Sequence, residues 1–172
     1  MTLFEIPVGT HIFIDTNILI YAGSGSQECR SLLEGCSSGV FQGYISQIVL
    51  SEFCHRRMVQ EARIKAAPER NTVKWLAEHP SFIKKLDTYS DDVATLLKND
   101  LQVIEITSAD IRDALNFQRS FGLLTNDSLQ LTAMFKAGLT NIASADKAFN
   151  HIPHILVYCP SNLTGLKSDD RP

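Results

Sequence analysis

The stretch His11-Ile12-Phe13-Ile14-Asp15-Thr16-Asn17-Ile18-Leu19-Ile20-Tyr21 decides the fold. Residues 12–14 form a short apolar run of the kind that makes a buried strand, and a helix is expected over 18–22. Asp15 sits where the strand ends. A carboxylate there is costly unless a cation or hydrogen-bond donors meet it. A strand that turns into a helix through an acid is the opening of an α/β unit, and it asks what the acid is for.

Working outward, the same alternation recurs. A loop follows at Gly23-Ser24-Gly25-Ser26, then a helix over 27–37. A strand over 43–46 leads into a long helix over 47–65, with Ser46 as its N-cap. A strand is expected over 101–106 and a helix over 108–121. A loop over 122–126 precedes a helix over 127–137, which Gly138 is placed to end. Strands over 141–144 and 154–159 close the pattern. Strands alternating with helices predict an α/β fold: a mostly parallel central sheet with helices on both faces. Residues 1–160 read as one domain, with an extra helical stretch at about 66–99 and a flexible tail over 161–172.

In such sheets ligands bind at the carboxyl ends of the strands. That rule gathers four acids: Asp15 after the first strand, Glu52 in the helix after the second, Asp127 at a helix start, and Asp146 after the strand over 141–144. Like charges packed together cannot all ionise without help, and a divalent cation is the usual resolution. Mg²⁺ prefers oxygen ligands and keeps several waters, which further acids can hold. Asn17 and Ser144 can orient carboxylates or waters; Thr16 and Asn126 can do the same or cap helices. Each acid also has a plain structural reading. Asp15 can cap the first helix, Glu52 can pair with Arg56 one turn on, Asp127 can be an N-cap, and Asp146 can close a turn before Phe149.

The chain has 172 residues, of which 44% are apolar and 20% charged, enough for one full hydrophobic core. No apolar run reaches the ~18 residues that a membrane span needs. Met1-Thr2-Leu3-Phe4-Glu5 lacks the basic start and apolar stretch of a signal peptide, so a cytoplasmic location with no membrane partner is the expectation. Cys29, Cys36, Cys54 and Cys159 make no C-x-x-C pair and read as small hydrophobes. His151 and His154 flank Pro153, which forbids a regular helical metal pair there. Net charge is −3, yet eight basic residues fall between Arg56 and Lys85, opposed by Glu61, Glu69 and Glu78. Such a segregated surface can meet phosphates, or can be an ordinary solvated face. Arg56, Lys84 and Lys85 are its candidates for RNA contact.

Four segments together resemble the PIN-domain nucleases, in form nearest to the VapC-like toxins of toxin–antitoxin pairs. They are Phe13-Ile14-Asp15-Thr16-Asn17-Ile18-Leu19, Ser46 through Ser51-Glu52-Phe53, Leu124-Thr125-Asn126-Asp127-Ser128-Leu129, and Ala143-Ser144-Ala145-Asp146-Lys147-Ala148-Phe149. They fall in the family's order over 12–158. The resemblance implies a PIN-like parallel sheet, a Mg²⁺ or Mn²⁺ cofactor, and endonucleolytic cleavage of RNA. It carries catalytic roles to Asp15, Glu52, Asp127 and Asp146, with Asp15, Asp127 and Glu52 as metal ligands and Asn17 and Ser144 in support. It further implies an antitoxin partner and a homodimer. The extra stretch at 66–99 exceeds a minimal domain of this kind.

The rival from another class is a non-catalytic PIN-like module that binds RNA or protein. Retention of all four acids weighs against it. A phosphatase would want a second acid two residues after Asp15, where Asn17 stands. There is no G-x-x-x-x-G-K-[ST] phosphate loop.

Overall fold

A computed structural model describes residues 1–66 and 71–161. The sequence readings of Arg70, of the tail over 162–172 and of part of the stretch at 66–99 lie outside the described residues. Five parallel strands form one sheet: β1 (His11–Ile14), β2 (Gln42–Ser46), β3 (Gln102–Ile104), β4 (Asn141–Ala143) and β5 (Leu156–Tyr158), in the order β3-β2-β1-β4-β5. Eight helices are described: α1 (Thr16–Gly23), α2 (Gln27–Ser37), α3 (Gln47–Ala66), α4 (Thr72–Glu78), α5 (Pro80–Ile83), α6 (Thr88–Lys98), α7 (Ser108–Phe121) and α8 (Thr125–Lys136). The expected α/β architecture, with helices on both faces of a parallel sheet, is what the chain adopts.

The order of strands fixes where a ligand can bind. From β1 the chain steps outward to β2 and β3, then returns to the other side of β1 for β4 and β5. The direction of winding therefore reverses between β1 and β4, and at such a point the loops leaving the two strands diverge and open a crevice. Phe13 pairs with Ile142 and Ile14 with Ala143, so the next residues, Asp15 and Ser144, emerge side by side at the carboxyl edge. The Asp15 amide still donates to the Ala143 carbonyl at 3.0 Å, and the Ser144 amide to the Tyr158 carbonyl at 2.9 Å, which holds both residues to the sheet.

Ile12, Phe13, Ile14, Ile45 and Ile142 are fully buried and make the centre of the core with Ile18, Ile20, Val49, Met134 and Phe149. Gly43 is needed for close approach in β2, since a Cβ there would lie 2.4 Å from Leu101 Cδ2 and 2.8 Å from Cys36 Sγ. Cys29 and Cys36 are buried free thiols, and burial pushes the Cys36 thiol up to about 11, as suits an inert small hydrophobe.

The stretch expected to be extra helices contains α4, α5 and α6, packed on α3 around a small second core of Val59, Ala62, Leu76 and Leu86. Several element boundaries differ from expectation; α1, for one, begins at Thr16, directly after Asp15. β3 is Gln102–Ile104, because Glu105 and Ile106 peel away to reach Lys136 and Gln47, and its central Val103 is partly exposed at a sheet edge. β5 starts only at Leu156, since the turn at Ile152 and the left-handed His154 (φ 66°) come first. α8 begins at Thr125 and not at Asp127: the Ser128 amide already donates to the Leu124 carbonyl at 2.9 Å, and Leu124 holds the N-cap position. Asp127 is thus inside the first turn, which removes the reading of Asp127 as an N-cap and places Asn126 in a helix, not a loop.

Candidate carboxylate site

Asp15 occupies the N-cap position of α1, yet its side chain makes no capping hydrogen bond. The carboxylate turns instead toward β4. Ser144 Oγ donates to Asp15 Oδ2 at 2.6 Å, and Asn17 Nδ2 donates a second, short bond to the same oxygen. Asn17 also reaches Ser144 Oγ at 3.2 Å and accepts the Ala145 amide at 3.0 Å. The pairing of β1 with β4 is therefore continued beyond the sheet by a side-chain clasp, and Asp15 is fixed in a place where it is only 6% exposed.

The remaining acids approach from other elements. Ser46 caps α3, its Oγ accepting from the Val49 amide at 3.3 Å, and this sets the direction of the turn that carries Glu52. Thr16 Oγ1 donates to Glu52 Oε2 at 3.2 Å and ties α3 to α1. Arg56 Nη1 stands 3.8 Å from Glu52 Oε1, so the pairing read as the plain alternative does form, at the long end of ion-pair range. Asp146 caps a short 3-10 turn, accepting the Ala148 amide at 2.9 Å, as its structural reading required. Its own amide donates to Ser144 Oγ at 2.9 Å, so the residue is also bound to the clasp. Asn126 is exposed, with no hydrogen bond to this group.

Asp127 feels the charges of the other three acids. Burial, followed by the charges of Asp146, Asp15 and Glu52, pushes the Asp127 carboxyl up to about 6 against a bond from the Leu124 backbone. Burial also pushes Asp15 up to about 6; the Ser144 hydroxyl opposes this, the Glu52 charge adds to it, and the Gln130 amide and Thr16 backbone oppose it. At ~1.4 kcal/mol per pKa unit, ionising buried Asp15 costs roughly 3 kcal/mol.

The donor set is all oxygen, which suits a hard divalent cation. Among the described residues no three Asp, Glu, His or Cys side chains have closed to coordinating distance of a common point. The carboxylates face one another at electrostatic range. A second feature fits a bound group: among the described residues, Gln130 Oε1 is the buried side-chain oxygen without a partner. Gln130 lies one helical turn after Asp127 on α8 and is 2% exposed. Its sequence signal was available: a lone amide in the otherwise apolar or small run Ser128-Leu129-Gln130-Leu131-Thr132-Ala133-Met134, three residues from an acid already singled out.

The basic residues of the α3–α5 region are mostly engaged elsewhere. Arg57 pairs with Asp92, Lys65 with Glu61 and Asp87, and Lys74 lies 4.0 Å from Glu78. Lys84 and Lys85 are exposed and have no ion-pair partner among the described residues, where also no helix is long and apolar enough to cross a membrane.

Comparison with known proteins bears on the family and the fold. The chain is 28% identical over 141 residues to a protein named Ribonuclease VapC2 from Methanocaldococcus jannaschii, covering 82% of this chain and 88% of the relative. Its fold is similar to that in the crystal structure of VapBC2 from Rickettsia felis bound to a promoter DNA fragment (TM-score 0.56, 17% identity, 87% of this chain and 98% of that one). It is similar also to Mycobacterium tuberculosis VapC20, described as a sarcin–ricin-loop-cleaving toxin (TM-score 0.53, 16% identity, 81% and 92%). The family model for the PIN domain matches residues 12–155, and the chain belongs to the PIN-domain family.

Proposed function

We propose that this protein is a divalent-metal-dependent endoribonuclease and the toxin of a toxin–antitoxin pair. The observation that carries the reading is that burial, and after it the charges of Asp146, Asp15 and Glu52, pushes the Asp127 carboxyl up to about 6, as four acids from separate segments sharing one site would do. The likeness to a ribonuclease supports RNA as the substrate, and the likeness in fold to a toxin–antitoxin assembly supports an antitoxin partner. We propose further that the toxin works as a homodimer in the cytoplasm.

Asp15 and Asp127, with Glu52, are the residues to hold Mg²⁺ or Mn²⁺, and Asp146 acts on water at its edge. The bound ion would supply Lewis acidity: a more acidic water and a counter-charge for the phosphodiester in attack. The chain does the rest. Ser144 and Asn17 aim the Asp15 carboxylate by donating to the same oxygen, and the Ser144 bond offsets part of the cost of burying it. Thr16 orients Glu52, and Glu52 is placed either to ligate or to accept a proton through water. Arg56 is placed beside the acids where a phosphate must approach, and Lys84 and Lys85 offer unpaired charge farther along the chain.

The test is labelled RNA incubated with purified, antitoxin-free protein in Mg²⁺, Mn²⁺ or chelator. Cleavage should require metal and fall to background in Asp15→Asn, while reversal of Lys84 and Lys85 to Glu should weaken RNA binding and flatten its salt dependence. Metal-independent cleavage, or RNA binding with no cleavage in any metal, would refute the proposed mechanism.

A further inference from the structure

We infer that Gln130 is a positioning residue of the carboxylate site, accepting, at Oε1, a hydrogen bond from water held on the bound cation. The inference rests on the proposed metal-dependent reading and adds to it a residue outside the acidic set. Gln130 lies on α8 one turn from Asp127 and is almost completely buried. Asp127 and Gln130, three residues apart, lie on the same side of α8, so the buried amide shares the face of the helix that carries the acid. Oε1 is left as an acceptor with no donor.

The hydroxyls of α8 and of the clasp around Asp15 are committed elsewhere. Ser128 Oγ donates to the Thr125 carbonyl at 2.8 Å and Thr132 Oγ1 to the Ser128 carbonyl at 2.8 Å. Ser144 Oγ donates to Asp15 and Thr16 Oγ1 to Glu52. Every one of these buried hydroxyl protons is already used. A buried polar atom without a partner is unfavourable and uncommon in folded proteins, so one beside a ligand site points to the ligand. A small hard cation keeps several waters, each a strong donor with protons turned outward, and residues that hold such waters tune affinity for the ion.

The test is isothermal titration of Mn²⁺ into the wild type and Gln130→Met, a near-isosteric change that removes both polar ends, with thermal melting in chelator alongside. The inference expects Mn²⁺ affinity to fall about 10-fold or more, while the melting temperature in chelator stays level or rises. Equal Mn²⁺ affinity in the two proteins overturns it and leaves the carboxylate reading standing. A wild type that takes up no Mn²⁺ overturns both. Gln130→Glu guards against a folding defect. It should melt lower than the wild type in chelator, because it adds a charge beside Asp15, and should gain more from Mn²⁺. A loss of stability that Mn²⁺ leaves unrepaired assigns Gln130 to packing alone and overturns the inference.

Discussion

Asp15 and Asp127 are carboxylates that the metal-free fold prefers to keep protonated, both pushed up to about 6 by burial and by neighbouring acids. For an acid with a raised pKa the folded state binds the proton more tightly than the unfolded chain. Stability from this source is therefore present below the unfolded value near 4 and is lost as pH rises through about 6. Asp127→Asn removes one such group. In chelator, the stability of this variant relative to the wild type should grow by roughly 1 kcal/mol between pH 4 and pH 7, a figure reduced for solvent screening at a half-buried position. Urea unfolding at the two pH values measures it. A difference that stays flat, or shrinks, would mean that Asp127 does not feel the other acids. With Mn²⁺ present the order should reverse, because the wild type gains binding energy that the variant lacks.

At the scale of elements, the least expected feature is a latch between α3 and α6. Glu61 on α3 is 6% exposed and accepts the amides of Asp87, Thr88 and Tyr89, at 3.0, 3.2 and 2.9 Å, from the open end of α6. Lys65 meets it at 2.6 Å. Burial alone would raise the Glu61 pKa; the Lys65 ammonium and the three amides outweigh it and bring it down to about 2. This contribution is fully present above the ordinary carboxyl value near 4.5 and is lost as pH falls toward about 2. Glu61→Gln should cost about 2 kcal/mol at pH 7, read by chemical unfolding, and the cost should shrink by pH 3. A cost independent of pH would assign Glu61 a packing role only. The sequence placed helices at 72–77 and 90–98, but Glu61 looked like one acid opposing a basic run. Long-range capping of this kind leaves no local pattern, since the donors lie 26 to 28 residues away. The start of α8 was obscured for a related reason: Thr125-Asn126 is turn-like in composition, yet Leu123 is buried and anchors the chain just before it, so the helix begins early. Part of the basic stretch is paired internally, Arg57 with Asp92 and Lys65 with Asp87, across elements that sequence could not bring together.

For the whole molecule, strand order is what turns scattered residues into a site. The acids were legible because each followed a strand or opened a helix, and the rule that ligands bind at carboxyl edges supplied their common destination. The clasp was legible only in part: Asn17 and Ser144 were named beside Asp15, but their shared grip on a single oxygen needs β1 and β4 to be neighbours, which the order β3-β2-β1-β4-β5 alone provides. Gln130 escaped notice because helical periodicity gives a buried amide no direction until α8 is packed against the sheet. The insert of α4, α5 and α6 has its own small core and its own latch, both built on α3. The most direct test of the central claim is a crystal soaked in Mn²⁺, with anomalous scattering recorded at the manganese edge. A peak in the crevice between β1 and β4, within ~2.0–2.4 Å of Asp15 or Asp127 oxygens and with Glu52 or Asp146 joined directly or through water, is the predicted result. An ion lodged elsewhere on the chain, or a crevice left without manganese at saturating concentration, would contradict it.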